Sequence, residues 1–222
     1  RSPGGAPLMH LQRTRRSGFT LVELMIGLPI LIIVVGVAGL AAQRGTEAFG
    51  QSTAIDALDR RAGRAMTAMT EALHGSVSTG FLPDPVGNFG SSTLTFQRQT
   101  GYVAGAAVLG TPVRIERVAE PADPANGVDD DGDGLIDEGM IQIVTDVGGP
   151  DEETRVVCRN VAFLLEGELP NGVDDNGNGL IDESGLSIHR QDGYITLRLT
   201  VVTPFQNAGL IRTIESSIGL RN

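Results

Sequence analysis

Two acidic segments of the chain, which lie 45 residues apart, contain the residue types that bind hard metal ions. The first, residues 126–138, reads NGVDDDGDGLIDE, and the second, residues 171–183, differs from it only where two aspartates become asparagines. Carboxylate, amide and backbone carbonyl oxygens are the ligands that Ca²⁺ prefers in proteins. A loop that only had to be soluble would not need matching oxygen ligands at matching positions. The repeat therefore predicts two cation sites.

The spacing within each segment follows the calcium-loop pattern, in which alternate residues supply oxygen atoms and a glycine at position 6 allows the turn. In the first segment Asp129 takes position 1 and Gly134 takes position 6, while Ile136 at position 8 would anchor the loop. The predicted ligands are all oxygen donors, with a backbone carbonyl at position 7. They are Asp129, Asp131, Asp133, Leu135, Asp137 and Glu138 in the first loop, and Asp174, Asn176, Asn178, Leu180, Asp182 and Glu183 in the second.

The pattern departs from a helix-flanked EF-hand at position 12, where a bidentate glutamate belongs. Met140 and Gly185 occupy that position, and Glu138 and Glu183 come two residues earlier. The loops therefore resemble the aspartate-rich repeats of extracellular calcium proteins. The closing carboxylate of the first loop could be Asp137, Glu138 or both, and a solvated acidic turn without metal is the alternative interpretation of each loop.

Calcium is favoured over zinc because neither loop contains cysteine or histidine. The first site has five carboxylates among its proposed ligands and the second has three, so we expect the first site to bind calcium more tightly. The expected dissociation constants are those of extracellular calcium modules, roughly 10⁻⁴–10⁻³ M.

The excess of acidic over basic residues comes from these two loops. Its formal net charge of −10 comes from 17 basic and 27 acidic residues, and the loops contribute ten acids and no base. Without the loops 17 acids would face 17 bases, so nothing in the charge pattern indicates nucleic-acid binding.

Nothing in the sequence indicates catalysis. The histidines His10, His74 and His189 are scattered, and there is no nucleophile elbow, phosphate-binding glycine loop or zinc-protease helix motif. The single cysteine, Cys158, lies in a strand-like apolar run and is predicted to be a small buried hydrophobic residue. We therefore expect a structural protein and not an enzyme.

The N-terminal segment joins a basic stretch directly to a long apolar run. Three arginines at 13–16 precede the sequence SGFTLVELMI at 17–26, and an almost uncharged run continues to Ala42. Glu23 is the only ionisable residue in this run. A carboxylate costs about 2.5–3.5 kcal/mol at the centre of a membrane helix, so its presence there indicates a function.

These residues resemble the class III signal of type IV pilins and type II secretion pseudopilins. The resemblance implies that a prepilin peptidase on the cytoplasmic face cuts between Gly18 and Phe19, removes residues 1–18 as a leader, and methylates Phe19. Glu23 would then be the fifth residue of the mature chain and would guide filament assembly. Its expected partner is the new free amine of Phe19.

Residues 19–45 are predicted to form a helix that crosses the inner membrane and later enters the filament core. The 24 residues from Phe19 to Ala42 would span about 36 Å, enough for a hydrocarbon core of about 30 Å. Positive charge before the span keeps the N-terminus cytoplasmic and places the C-terminal domain in the periplasm. Pro29 predicts a kink or a local opening of the helix.

An amphipathic continuation of the helix is predicted over residues 46–74, with Gly75 as a C-cap. Its apolar stripe consists of Ile55, Leu58, Ala62, Ala65, Met69 and Leu73. Residues 75–222 predict a β-rich domain that carries the acidic loops at 126–139 and 171–184. Its strand-like runs are 92–98, 111–118, 140–146, 154–165, 186–190, 193–203 and 209–218. The expected class is α+β and pilin-like, with the long helix packed on a mostly antiparallel sheet.

The resemblance implies a minor pseudopilin, most similar to the J-type subunit, in the tip or initiation complex of a type II secretion pseudopilus. Its partners would be other minor and major pseudopilins, prepilin peptidase and the inner membrane. The K-type subunit is disfavoured because it usually lacks the acid that Glu23 supplies. Two alternatives stay open: a minor pilin of a type IV pilus, and a calcium-dependent adhesin at a pilus tip.

Overall fold

The computed structural model describes residues 18–77, 80–205 and 208–220. The predicted leader lies outside the described residues apart from Gly18. The chain divides into two units, Arg1–Phe49 and Gly50–Asn222. In chain order the described elements are helix α1 (Leu21–Leu73) and strands β1 (Thr93–Val103), β2 (Ala106–Ala119), β3 (Gly139–Thr145), β4 (Glu153–Val161), β5 (Leu186–Gln191), β6 (Tyr194–Phe205) and β7 (Ala208–Gly219).

In the first unit every described residue of α1 up to Phe49 is exposed. Its apolar run is long enough and apolar enough to cross a membrane. The helix continues without a break through Pro29. A proline removes only one backbone donor, and the apolar residues on both sides of this one favour helix, so the local opening that the sequence predicts is not present.

In the second unit the end of α1 packs on the sheet through its apolar stripe. The stripe begins at Leu58, because Ile55, which was predicted to be its first member, is 38% exposed. The buried helical residues are Leu58, Ala62, Ala65, Met66, Met69, Ala72 and Leu73. Gly75, just beyond the helix, has a φ of 80°, as expected of a C-cap glycine.

The seven strands form one sheet in the order β1-β2-β3-β4-β6-β5, and β7 pairs with the other edge of β6. Every pairing between these strands is antiparallel. Each predicted strand run coincides with an observed strand, although β1 and β2 extend further, to a turn at Ala104 and Gly105. The fourth run ends at Val161 and not at residue 165. The predicted α+β class, with a long N-terminal helix and an antiparallel sheet, is confirmed.

Cys158 is buried in the core between α1 and the sheet, as predicted. Burial raises the pKa of its thiol to about 11, although nearby arginines act in the opposite direction. Very little thiolate is therefore present near neutral pH.

We expect Cys158 in the native chain to resist alkylation by iodoacetamide at about pH 8, because the reactive species is the thiolate and the thiol is buried. The same cysteine should react quickly once the chain is unfolded in guanidinium chloride. Mass spectrometry of the labelled fraction against time measures both rates. Equal rates in the native and unfolded chains would contradict the buried position.

Candidate functional sites

Both acidic loops leave the same end of the sheet. The first connects β2 to β3, and the second connects β4 to β5. Gly139, the first residue of β3, pairs with Val161, the last residue of β4. The end of the first loop therefore lies beside the start of the second. The sequence alone did not predict whether the two loops are close in space.

The half-buried side chain of Arg117 joins the bases of the two loops. Its guanidinium donates to the carbonyl of Asp137 at 2.9 Å and to the carbonyl of Ala162 at 3.1 Å. Its Cζ atom lies 5.6 Å from the centre of the Phe163 ring. Burial lowers the pKa of Arg117, and the carboxylates of Asp137 and Glu138 oppose that shift. No local pattern in the sequence indicates this role of Arg117, because its partners are distant along the chain.

Three aspartates of the first loop converge. Asp129 accepts hydrogen bonds from the backbone N–H groups of Gly132 at 2.7 Å and Gly134 at 3.0 Å. Asp131 and Asp133 each accept one from the N–H two residues further on. One carboxylate oxygen from each of the three lies within 4.8 Å of the others. This spacing fits a calcium ligand shell, in which oxygens lie about 2.3–2.6 Å from the ion.

The second loop repeats this backbone arrangement with fewer charges. Asp174 accepts hydrogen bonds from the N–H groups of Gly177 at 2.7 Å and Gly179 at 2.8 Å. Asn176 and Asn178 use their amide oxygens where the first loop uses carboxylates. The sequence repeat is thus a structural repeat, and the two loops differ in charge more than in shape.

Asp137 and Asp182 hold the ends of their loops together. The Oδ1 atom of Asp137 accepts hydrogen bonds from the N–H groups of Asn126 and Gly127, both at 2.8 Å. Asp182 makes the matching bonds in the second loop, both at 3.1 Å. Both aspartates have positive φ angles, 58° and 48°. The carboxylate oxygens of Asp137 and Asp182 are therefore already used to close the loops. That these two residues also bind a cation stays a prediction.

Glu138 and Glu183 are buried, with 2% and 1% of their surface exposed. The Oε2 atom of each has no hydrogen-bond partner among the described residues. Burial raises the pKa of the Glu138 carboxyl to about 7 and also raises that of Glu183. A buried carboxyl oxygen without a partner costs free energy, so each loop contains an unsatisfied acid next to its cluster of oxygen donors.

Two further buried acids, which the sequence analysis missed, support the loops from outside the repeated segments. Asp123 accepts hydrogen bonds from the N–H groups of Asp130 at 2.9 Å and Glu138 at 3.2 Å, and the Asp130 bond lowers the pKa of Asp123. Glu168 accepts two N–H groups of the second loop, both at 3.1 Å. The signal was present in the sequence, because these acids are also 45 residues apart.

The loops are anchored by leucines. Leu135 and Leu180 are buried, whereas Ile136, the predicted anchor, is 56% exposed, so that prediction is wrong. Gly134 has a φ of 90° and turns the chain so that the next side chain faces inward. There Leu135 packs close to Gly209, where an added Cβ would lie 3.1 Å from it. That the leucine carbonyls bind a cation stays a prediction.

The predicted processing site lies at the start of α1, where Gly18 and Phe19 are exposed. Glu23 accepts hydrogen bonds from the backbone N–H and the hydroxyl of Thr20, both at 2.8 Å. The Thr20 hydroxyl in turn accepts one from the Glu23 N–H at 3.3 Å. This reciprocal pair is a capping box that begins the helix. The T-x-x-E signature at Thr20 and Glu23 is the local sequence signal of this box.

Comparison with known families identifies this segment. Residues 13–39 match the family described as "Prokaryotic N-terminal methylation motif". The chain carries a type IV pilin-like methylation signal. Neither the curated proteins nor the solved structures include a significant match to the chain.

A signal of this kind is typical of type IV pilins and pseudopilins, which are structural subunits. Subunits with this signal are typically processed by prepilin peptidase and assemble with other pilins. The apolar part of α1 lies near the N-terminus and is consistent with a single-pass inner-membrane anchor.

Proposed function

We propose that the chain is a minor pseudopilin, a structural subunit in the tip or initiation complex of a type II secretion pseudopilus. The observation that carries the proposal is the methylation signal at residues 13–39, which runs directly into an exposed apolar helix.

Maturation in this proposal begins with cleavage after Gly18 and methylation of Phe19 by prepilin peptidase. The subunit then waits in the inner membrane, with its N-terminus cytoplasmic and its C-terminal domain in the periplasm. On assembly the α1 helix moves from lipid into the filament core beside other minor and major pseudopilins. Glu23 pairs there with the amine of a neighbouring N-terminal residue, which compensates a carboxylate in an apolar environment.

Calcium in the two acidic loops is the second part of the proposal. The cluster of Asp129, Asp131 and Asp133 fits the ion in size and donor type. Calcium would supply positive charge to loops that have no disulfide, since the chain has one cysteine. At about 10 mM calcium and a dissociation constant of about 10⁻⁴ M, one site adds about 2.7 kcal/mol to the free energy of unfolding. In a chain of this size that corresponds to about 5–10 °C in the melting midpoint.

Deletion of the gene in its host should abolish export of type II secretion substrates while surface pili and twitching stay intact. Exported proteins in the medium and pili on the cell surface are scored in parallel. Restoration by the wild-type gene on a plasmid is the control. Lost pili with intact export would assign the subunit to a type IV pilus. If neither phenotype appeared, the assembly role would fail and a calcium-dependent adhesin at a pilus tip would become the better explanation.

A further inference from the structure

The unsatisfied oxygens of Glu138 and Glu183 lie at equivalent positions of the two repeats. Each glutamate is more than nine-tenths buried, and each has an Oε2 atom without a partner among the described residues. The backbone of each also fixes the base of its loop: the Glu138 carbonyl accepts the N–H of Glu120 at 3.1 Å, and the Glu183 carbonyl accepts that of Leu165 at 2.9 Å. The backbone positions of both glutamates are therefore held by these hydrogen bonds.

These side chains lie beside the oxygen clusters, although Glu138 is not among the three carboxylates that converge in the first loop. In the second loop the amide of Asn178, at position 5 of the pattern, donates to Glu183 Oε1 at 2.9 Å. In the first loop the same position is Asp133. Burial first, and then the carboxyls of Asp123 and Asp133, raise the pKa of Glu138. A carboxylate that meets another carboxylate in a buried place is destabilising, and a cation between the two reverses the sign of that interaction.

We propose that Glu138 and Glu183 close the two calcium sites, in place of the glutamate that the pattern lacks at position 12. This inference rests on the proposed calcium binding and specifies which buried carboxylates complete each site. Asp123 and Glu168 then act as positioning residues, because their oxygens hold backbone N–H groups of the loops. Asp137 and Asp182 keep the loop ends together in the same way.

The two sites differ in what already neutralises the closing glutamate. The Oε1 atom of Glu183 accepts a hydrogen bond from the Asn178 amide and lies 3.9 Å from a guanidinium nitrogen of Arg198. These two groups already offset part of the Glu183 charge, so calcium at the second site gains less binding free energy. In the first loop Asp133 offers no such donor to Glu138. The first site therefore gains more from the ion and binds it more tightly.

The closing role also explains how an ion would stabilise the sheet. Glu138 precedes Gly139, the first residue of β3, and its carbonyl is bonded to Glu120 just after the end of β2. An ion held by Glu138 and the aspartate cluster would tie the loop to the ends of both strands. Without the ion, the same end of the sheet holds the carboxyls of Asp123 and Glu138 side by side in a buried place.

The test compares calcium binding by the full chain and its variants in detergent, measured by isothermal titration with CaCl₂ and by melting midpoints in EGTA and in calcium. Glu138→Gln keeps the shape of the side chain and removes its charge. We expect it to weaken the tighter calcium site at least tenfold, since a charged ligand is lost. In EGTA the same variant should melt at or above the wild-type temperature, because it removes a buried acid that lies beside the acid of Asp123.

Asp130→Asn is the matched control, because it removes one negative charge from the same loop at an exposed position that the pattern does not use as a ligand. It should bind calcium within about threefold of wild type, since surface charges contribute little at moderate salt. Asn178→Asp should strengthen the second site by about tenfold, because it adds a carboxylate ligand and removes the amide bond to Glu183.

Each outcome decides a different point. A wild-type chain that shows no calcium response would overturn the calcium proposal itself, while the pseudopilin assignment would still stand on the deletion phenotype. A wild-type response that Glu138→Gln retains in full, or that Asp130→Asn weakens equally, would overturn the closing role alone. A Glu138→Gln chain that melts below wild type in EGTA would also count against it, because that result assigns the glutamate to the metal-free fold.

Discussion

Replacing Gly18 by glutamate should leave the chain at its precursor length, with the leader still attached to Phe19. The substitution puts a charged side chain next to the bond that prepilin peptidase is expected to cut. The fold of the chain itself has room for it, because a Cβ at Gly18 would meet no atom within 4 Å. Loss of cleavage would therefore report recognition by the peptidase and not misfolding. Mass spectrometry of the membrane-extracted chain distinguishes the precursor from a product that begins at methylated Phe19.

The uncleaved variant should also fail to enter filaments. Without cleavage there is no free amine at Phe19, so Glu23 would keep its capping bonds to Thr20 and lack a cationic partner in the apolar filament core. Gly27→Ala is the matched control, since it alters another exposed glycine of the same segment with free space around it. It should be processed normally. A Gly18→Glu chain cut at the same bond would show that the processing site lies elsewhere or that the peptidase ignores this residue.

The elements of the fold were predictable because each is encoded by local periodicity. The stripe from Leu58 to Leu73 recurs at helical spacing, and the first half of β6 alternates buried side chains with more exposed ones. The limits of the strands depend on their neighbours. β4 ends at Val161, opposite Gly139 at the start of β3, so β3 offers no partner beyond that pair. The residue pattern of β4 alone therefore does not predict where the strand ends.

Strands β1 and β2 are longer than the sequence predicted, for a different reason. Its two-residue turn at Ala104 and Gly105 has φ angles of 52° and 84°, which are the left-handed values of a tight hairpin turn. Such turns usually show asparagine or aspartate before glycine, so alanine gave no signal. The strands therefore continue through Val103 and Ala106, where the sequence predicted a longer connection.

In the acidic loops the sequence gives residue types and spacing, whereas burial depends on the whole domain. Identical offsets indicated the aspartate cluster correctly, because those residues lie within one short turn. The unsatisfied state of Glu138 arises only when β3 and the sheet cover it, and the bridge made by Arg117 arises only when β3 and β4 pair. Long-range packing of this kind has no local signature.

Gly185→Ala should be among the most destabilising single changes in the second unit, by about 3 kcal/mol or more. A Cβ at Gly185 would lie 1.9 Å from the backbone oxygen of Ala162, and backbone cannot rotate away as a side chain can. At about 2–4 °C per kcal/mol, the melting midpoint of the full chain should fall by about 6–12 °C or more. Thermal unfolding followed by circular dichroism at the wavelength of the β-sheet signal measures the change.

The matched control is Gly63→Ala, which sits in the interior of α1 with no atom within 4 Å of its added Cβ. It should raise stability by about 0.5–1 kcal/mol, because alanine is the better helix former. If Gly185→Ala melted like wild type, the second loop would have to be free to move away from the end of β4. In the second loop the same contact explains why no acidic side chain stands at position 12 of the calcium pattern. No side chain fits at Gly185, so a closing carboxylate must come from an earlier residue, and Glu183 is the buried acid that precedes it.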